Sequence, residues 1–199
     1  YDLVIKQRDA NRGAHQFVFG STDFKLMRKC SCPVWIIKPT KRKRFTRILA
    51  AVDPDPLSPE SPNRLIIDIA TSLAQTEKSE LYVVHAWQLE SESILRGSLI
   101  PKNELTDLLK GMQLAHQHQL DLLQGHYRAH KKTVCLIAGS PGEIIPDLAK
   151  EKEIELIVMG TVGHTGIAGL IIGNTAEKIL NAVNCSVLTV KPEGFSFPV

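Results

Sequence analysis

The sequence predicts an α/β protein with a five-stranded parallel sheet flanked by helices, and three observations carry that prediction. Strand-like and helix-like patterns alternate along residues 47–192. The strand-like runs are almost continuously apolar, which is typical of parallel strands that are buried on both faces. Residues 1–39 repeat the pattern of the last part of the chain. We therefore predict one complete α/β domain that is preceded by the end of a related one.

Five strand-like runs and four helical patterns make up the complete domain. Each helical pattern spaces its apolar residues so that one face can pack on a sheet. Prolines after the first strand forbid regular structure until about residue 62. The predicted strands are 47–53, 81–87, 132–137, 154–159 and 186–190, and the helices between them are 62–74, 103–129, 141–150 and 174–183. Their alternation implies right-handed crossovers between parallel strands.

An internal repeat explains how the chain begins. A shift of 153 positions lays residues 1–39 over residues 154–192 without a gap, and Gly20, for example, meets Gly173. We interpret 1–39 as the C-terminal part of a first domain whose front part is absent, since the chain starts almost directly in a strand-like run. The rest of the chain divides into a basic linker (40–46), the complete second domain (47–192) and a tail (193–199).

Composition narrows the classes of function. The formal charge of +3 is too small to indicate a nucleic-acid partner, and no apolar run is long enough to span a bilayer. The basic run at 41–44 is short and lacks interleaved aromatic residues, so we interpret it as a solvated linker. Four cysteines without a secretory signal favour reduced thiols, and we expect a cytoplasmic protein.

The stretch from Met159 to Thr175 is the strongest candidate for a binding site. Its glycines lie in the turn between a strand and a helix, where a backbone without Cβ atoms can approach phosphate and the first helical amides can donate to it. The spacing of Gly160, Gly163 and Gly173 is neither that of a Walker A loop nor that of a dinucleotide-binding fingerprint. The first repeat has Gln7 and Ala10 in place of the first two glycines, so we expect it to have lost phosphate binding.

Asp53 ends the first strand of the complete domain and is the second candidate. In a parallel sheet, ligands bind beyond the carboxyl ends of the strands, at the point where the strand order reverses. If the first and fourth strands are neighbours, Asp53 can take a ribose hydroxyl or a base edge while the glycine turn takes phosphates. The alternatives are a purely structural strand-to-helix turn and a solvated acid that caps its own loop.

These residues resemble the universal stress proteins, in particular their tandem-domain E type. The resemblance covers essentially the whole chain, and its most specific part is the glycine spacing followed by residues 174–177. It implies a Rossmann-like five-stranded sheet of order 3-2-1-4-5. It also implies self-association, either as a dimer or as pairing between the tandem domains, through the last strand. Some branches of the family bind ATP, whereas others lack the glycine motif and do not.

The resemblance also implies a set of nucleotide-binding positions. Two of them depart from the usual pattern, because Asn174 replaces a serine or threonine and Val162 stands where some binders have a polar residue. Both departures bear on affinity more than on the location of the site. The implied positions are Asp53, Ala86, Met159, Gly160, Val162, Gly163, Gly173, Asn174 and Thr175.

The sequence favours binding over catalysis. It has no G-x-S-x-G motif and no positioned general base, so we predict no catalytic residues. We interpret His126 and His130 as a surface pair rather than a metal site, because no third ligand is evident. The leading hypothesis is a stress-response module that binds ATP or a related adenine nucleotide, with Mg²⁺ accompanying it. The alternatives are a ligand-free structural or interaction protein and a slow ATPase.

Overall fold

A computed structural model describes residues 2–8, 19–41, 44–54, 62–88, 101–124, 131–161 and 172–192. Strands and helices alternate on each side of the linker, and the α/β class that the sequence predicts is confirmed. The strands are β1 (Val4–Gln7), β2 (Val34–Ile37), β3 (Arg47–Ala51), β4 (Glu80–Trp87), β5 (Lys132–Ala138), β6 (Leu156–Gly160) and β7 (Ser186–Val190). The helices are α1 (Ser21–Lys29), α2 (Asn63–Glu77), α3 (Lys102–Gln124), α4 (Pro141–Glu151) and α5 (Asn174–Ala182).

The strands form one sheet in the order β1-β2-β7-β6-β3-β4-β5. Its neighbours are parallel except for β2 and β7, which pair antiparallel with Ile36 opposite Val187. The sheet is therefore larger than the five-stranded parallel sheet that the sequence predicts, and it is mixed. Pairing β2 with β7 satisfies backbone groups that each strand would otherwise leave unpaired at an edge.

The internal repeat recurs in the secondary structure. Helices α1 and α5 have bounds that differ by 153 positions at both ends, and glycine is the N-cap residue of each. Their C-terminal caps also match, because the amides of Cys30 and Val183 each donate to a carbonyl four residues earlier at 3.0 Å. The sheet joins these two copies through their final strands. The domain boundaries given above stay a prediction.

Two apolar clusters cover the two faces of the sheet. On one face, α2 packs against the central strands, and Leu120 of α3 joins the same cluster. On the other face, Met27 of α1 and Ile36 of β2 lie in one cluster with Ile157 and Ile179 of the second repeat. Residues on both sides of the linker thus share a single buried core.

Several sequence predictions need adjustment at the ends of elements. The helix predicted over 103–129 is described as Lys102–Gln124, and residues 125–130, with His126 and His130, lie outside the described part. Helix α2 takes Pro62 as its N-cap residue rather than as its first helical residue.

The four cysteines carry no disulfide. None of the described helices combines the length and the apolar character that a bilayer span requires.

Candidate functional site

The candidate site lies where the direction of the chain through the sheet reverses. From β3 the chain moves outward to β4 and β5, then returns to the other side of β3 to form β6 and β7. Ala51 of β3 pairs with Met159 of β6 and with Val84 of β4. The residues that follow these strands therefore end at one edge of the sheet. Crevices at such a reversal are the usual ligand-binding places of open α/β sheets.

Asp53 follows β3 at this edge, and its side chain is 68% exposed. Its backbone is held on both sides by Asn63, the first residue of α2. The Asp53 amide donates to Asn63 Oδ1 at 2.9 Å, and Asn63 Nδ2 donates to the Asp53 carbonyl at 2.6 Å. Asn63 is itself buried, so the start of α2 fixes the backbone that presents the Asp53 carboxylate.

Replacing Asn63 by alanine is expected to lower the free energy of unfolding by about 1–3 kcal/mol. The substitution removes two hydrogen bonds and leaves partly buried backbone groups of Asp53 without their partner. Urea unfolding of the two proteins measures the difference. Exchange of the Asp53 amide hydrogen should accelerate in the variant, and unchanged exchange would show that Asn63 does not hold this turn.

Gly160 is the last residue of β6 and sits against the start of α2. A Cβ atom at this position would lie 3.2 Å from Cγ of Pro62 and 3.9 Å from Cδ1 of Ile66. Such a contact is tighter than ordinary van der Waals packing, so the absence of a side chain matters here for close approach. The next residue, Thr161, is 1% exposed, and its hydroxyl has no hydrogen-bond partner in the described part of the chain.

The second half of the glycine stretch forms the start of α5. Gly173 is the N-cap residue, and its amide donates to the Thr161 carbonyl at 2.9 Å, which ties the helix start to the end of β6. Asn174 is the first helical residue, at the start of the helix predicted over 174–183. Asn174 and Thr175 are exposed, and the first amides of α5 have no partner within the helix.

The other implied positions divide into two groups. Ala86 near the end of β4 and Met159 in β6 are buried, with 7% and 3% of their surface exposed, so neither presents much of its side chain to solvent. Val162 and Gly163 lie outside the described residues. Within the described residues, no three His, Cys, Asp or Glu side chains are grouped to hold a metal ion.

The structure adds a histidine pair that the sequence reasoning missed. His85 Nδ1 lies 3.2 Å from the Val52 carbonyl, and His85 Nε2 lies 2.9 Å from His116 Nδ1. Trp87 stacks on the His116 ring at a centroid distance of 5.0 Å. Asp53 Oδ1 is 3.9 Å from His85 Nδ1, so the pair adjoins the candidate site.

The protonation pattern of the pair follows from its partners. A carbonyl only accepts, so His85 Nδ1 carries a hydrogen, and neutral His85 must then accept at Nε2. His116 Nδ1 therefore donates in the neutral pair. The sequence did contain a signal, because His85 is the one polar residue within the apolar run 83–87 and His116 continues the inward spacing of Met112 and Leu120.

Acid is expected to destabilise the protein through this pair. Burial lowers the pKa of His85 and of His116 below the ordinary 6.5, although Asp53 opposes the shift. The unfolded state then binds more protons, so stability is complete above 6.5 and is lost as the pH falls from there toward the folded pKa values. Urea unfolding at pH 8 and pH 5 should show a smaller loss in His116→Gln than in wild type.

His118 supplies the matched control, since it lies on the same helix but is exposed. His118→Gln should reproduce the wild-type loss of stability between pH 8 and pH 5. Equal losses in all three proteins would mean that other groups cause the acid sensitivity.

A model of the universal stress protein family matches residues 44–191, about three quarters of the chain. The chain belongs to the universal stress protein family. The matched range contains the candidate site, β3 to β7 and the described helices α2 to α5.

Curated relatives cover all or nearly all of this universal stress protein chain. It is 29% identical over 205 residues to universal stress protein E of Salmonella typhi, covering all of this chain and 64% of that protein. A universal stress protein E homolog of Haemophilus influenzae is 29% identical over 198 residues, covering 96% of this chain and 62% of the relative. The chain therefore spans somewhat less than two thirds of the length of these relatives.

Solved structures show the same fold. A protein of unknown function from Pseudomonas aeruginosa PAO1 has a TM-score of 0.78 and 26% identity, and the match covers 98% of this chain and 64% of that one. A universal stress protein from Archaeoglobus fulgidus has a TM-score of 0.59 at 20% identity, with 96% and 62% of the two chains covered. Because the identity to the Archaeoglobus fulgidus protein is low, this second match shows a shared fold and nothing more.

Proposed function

We propose that this universal stress protein binds ATP or a related adenine nucleotide at the edge formed by β3, β4 and β6. One observation carries the proposal. The strand order reverses beside β3, with the exposed Asp53 carboxylate on one side and the Gly160 turn and the start of α5 on the other. A carboxylate accepts hydrogen bonds from ribose hydroxyls or from a base amino group, and helix-terminal amides donate to phosphate.

The glycine turn suits the phosphate end of such a ligand. Gly160 leaves the approach to β6 open, and the buried Thr161 hydroxyl next to it has no partner among the described residues, so it can donate to a phosphate oxygen. A magnesium ion would be held mainly by the phosphates themselves, in keeping with its preference for substrate oxygens. The proposal includes a cytoplasmic location, which suits four free cysteines.

We propose binding without efficient catalysis. His85 lies beside Asp53 and contacts His116, and the ring nitrogens of the two histidines already engage each other and a backbone carbonyl. A slow ATPase is the weaker alternative. Phosphate release in proportion to protein concentration, lost in a variant that no longer binds ATP, would support turnover.

Calorimetric titration with ATP and Mg²⁺ tests the proposal. Wild type should bind one nucleotide per chain, and Asp53→Ala should bind about 10-fold more weakly because a hydrogen bond to a charged group is lost. Glu143→Ala removes one acid from the start of α4 and serves as the control. Absence of heat from wild type at saturating ATP would refute the proposal.

A structural or interaction role without a ligand is the second candidate function. The observation in its favour is the antiparallel pairing of β2 with β7, which joins the last strands of the two repeats in one sheet. Self-association of further copies is part of this candidate and of the main proposal alike. Sedimentation with and without ATP separates them, since a purely structural role predicts assembly that does not respond to nucleotide.

A further inference from the structure

Arg8 carries a buried guanidinium that has no hydrogen-bonded counter-charge among the described residues. The residue follows β1, and its amide donates to the Ile37 carbonyl at 2.8 Å. Only 2% of its surface is exposed, and Cζ lies 3.6 Å from the centre of the Phe19 ring. None of its three guanidinium nitrogens has a hydrogen-bond partner in the part of the chain that the structure describes.

Among the described residues, Asp23 and Cys185 lie near Arg8, and neither accepts a hydrogen bond from its guanidinium. Asp23 is committed elsewhere, since Oδ1 lies 2.9 Å from Lys6 Nζ and Oδ2 accepts from the Gly20 amide at 2.9 Å. Burial raises the pKa of the Cys185 thiol to about 12, although Arg8 itself acts in the opposite direction. Cys185 is therefore a neutral thiol at physiological pH.

An unpaired buried cation is strongly unfavourable, so a native structure normally supplies it with an anion or ordered water. Phe19 covers one face of the guanidinium and offsets part of the cost through a cation–π contact. That contact leaves the hydrogen atoms at the edge of the guanidinium plane unused, because they point away from an aromatic ring that lies against its face. The N–H groups at the edge of the Arg8 guanidinium therefore need a hydrogen-bond acceptor.

The position of Arg8 indicates what the acceptor is. Arg8 is the counterpart of Thr161 at the shift of 153 positions, and Gly20 is the counterpart of Gly173. The Arg8 guanidinium lies on the Phe19 ring. Phe19 directly precedes Gly20, which is the N-cap residue of the nine-residue helix α1. Asp23 occupies the Gly20 amide, whereas the amides of Ser21 and Thr22 have no carbonyl to bind within the helix.

We propose that Arg8 and the start of α1 hold a small oxyanion of the size of phosphate. The planar guanidinium donates two parallel hydrogen bonds to such an anion, and the helix start adds amides and a favourable dipole. The first repeat lacks the glycines of the second, so this site is built on an arginine side chain instead of an open backbone turn. The shared chemistry is a phosphate group, either free or as part of a phosphate ester.

Nuclear magnetic resonance of the arginine Nε–Hε groups tests the proposal on the whole chain. Titration with inorganic phosphate should shift the Arg8 signal in a saturable manner. Arg8→Met should weaken phosphate binding about 10- to 100-fold, because it removes charge-assisted hydrogen bonds. Lys29→Gln removes one exposed charge from the last turn of the same helix and should change the affinity less than about 2-fold, as expected for a surface charge at the opposite helix end.

Further titrations distinguish the source of the phosphate from the nucleotide site. Saturation of the Arg8 signal by ATP but not by adenosine would identify a phosphate ester as a ligand, and saturation by inorganic phosphate alone would identify the free ion. Gly160→Gln should leave the Arg8 response unchanged, so failure of the nucleotide proposal does not affect this one. An Arg8 signal in wild type that neither inorganic phosphate nor ATP moves, or undiminished binding by Arg8→Met, would overturn the proposal.

Discussion

Replacing Gly160 by glutamine is expected to reduce the affinity for ATP at least about 100-fold, or about 2.7 kcal/mol of binding free energy. Glutamine is the residue that the first repeat has at the corresponding position, Gln7. Its Cβ would approach Pro62 Cγ to 3.2 Å, and the rest of the side chain must then extend over the end of β6, where phosphate would lie. Several hydrogen bonds to phosphate would be lost together.

Gly111 provides the matched control for this substitution. It lies in α3, and a Cβ atom there would meet nothing within 4 Å. Gly111→Ala should keep full ATP affinity and stabilise the helix by up to about 1 kcal/mol. Circular dichroism should show that Gly160→Gln remains folded. Equal ATP affinity for wild type and for Gly160→Gln would show that the phosphates do not bind at this turn.

Replacing Ile36 by alanine is expected to lower the free energy of unfolding by about 2–5 kcal/mol, the second large effect. Ile36 is fully buried in β2, and its cluster contains Ile157 and Val187 of the second repeat. The substitution therefore opens a cavity in a core that residues on both sides of the linker share. A single unfolding transition seen by circular dichroism and by tryptophan fluorescence should move to lower urea.

Ile5 supplies the control within the same repeat, because it lies on β1 and is 57% exposed. Ile5→Ala should cost less than about 0.5 kcal/mol, as surface substitutions usually do. Two separate transitions, with Ile36→Ala affecting only the weaker one, would show that the repeats fold independently and would contradict the continuous sheet.

The fold was accessible from sequence to the extent that it rests on local patterns. Apolar runs and helical spacing located the strands and helices, and the fixed shift of 153 positions paired Gly20 with Gly173. The seven-stranded sheet was not accessible in this way. The pairing of Ile36 with Val187 depends on how two distant strands meet, and neither strand differs from an ordinary buried strand in its own sequence.

The candidate site, like the fold, could be predicted from the sequence only in part. Asp53 and Gly160 could be singled out because an acid and a glycine at the end of an apolar strand are unusual there. Asn63 and the His85–His116 pair were missed, since their roles arise from contacts 10 and 31 positions apart along the chain. A single polar residue on an otherwise apolar face was the available signal for the histidine pair. A histidine that is merely buried in a core gives the same pattern, so this signal does not identify a functional site.

A crystal structure of the chain with ATP and Mg²⁺ tests the central claim most directly. We expect the base and ribose beside Asp53 and Ala86, and the phosphates on the turn from Gly160 to the start of α5 at Gly173. Soaking the Gly160→Gln variant under the same conditions should leave this place empty. An empty turn in wild-type crystals at saturating ATP, or nucleotide bound at another part of the sheet, would contradict the account.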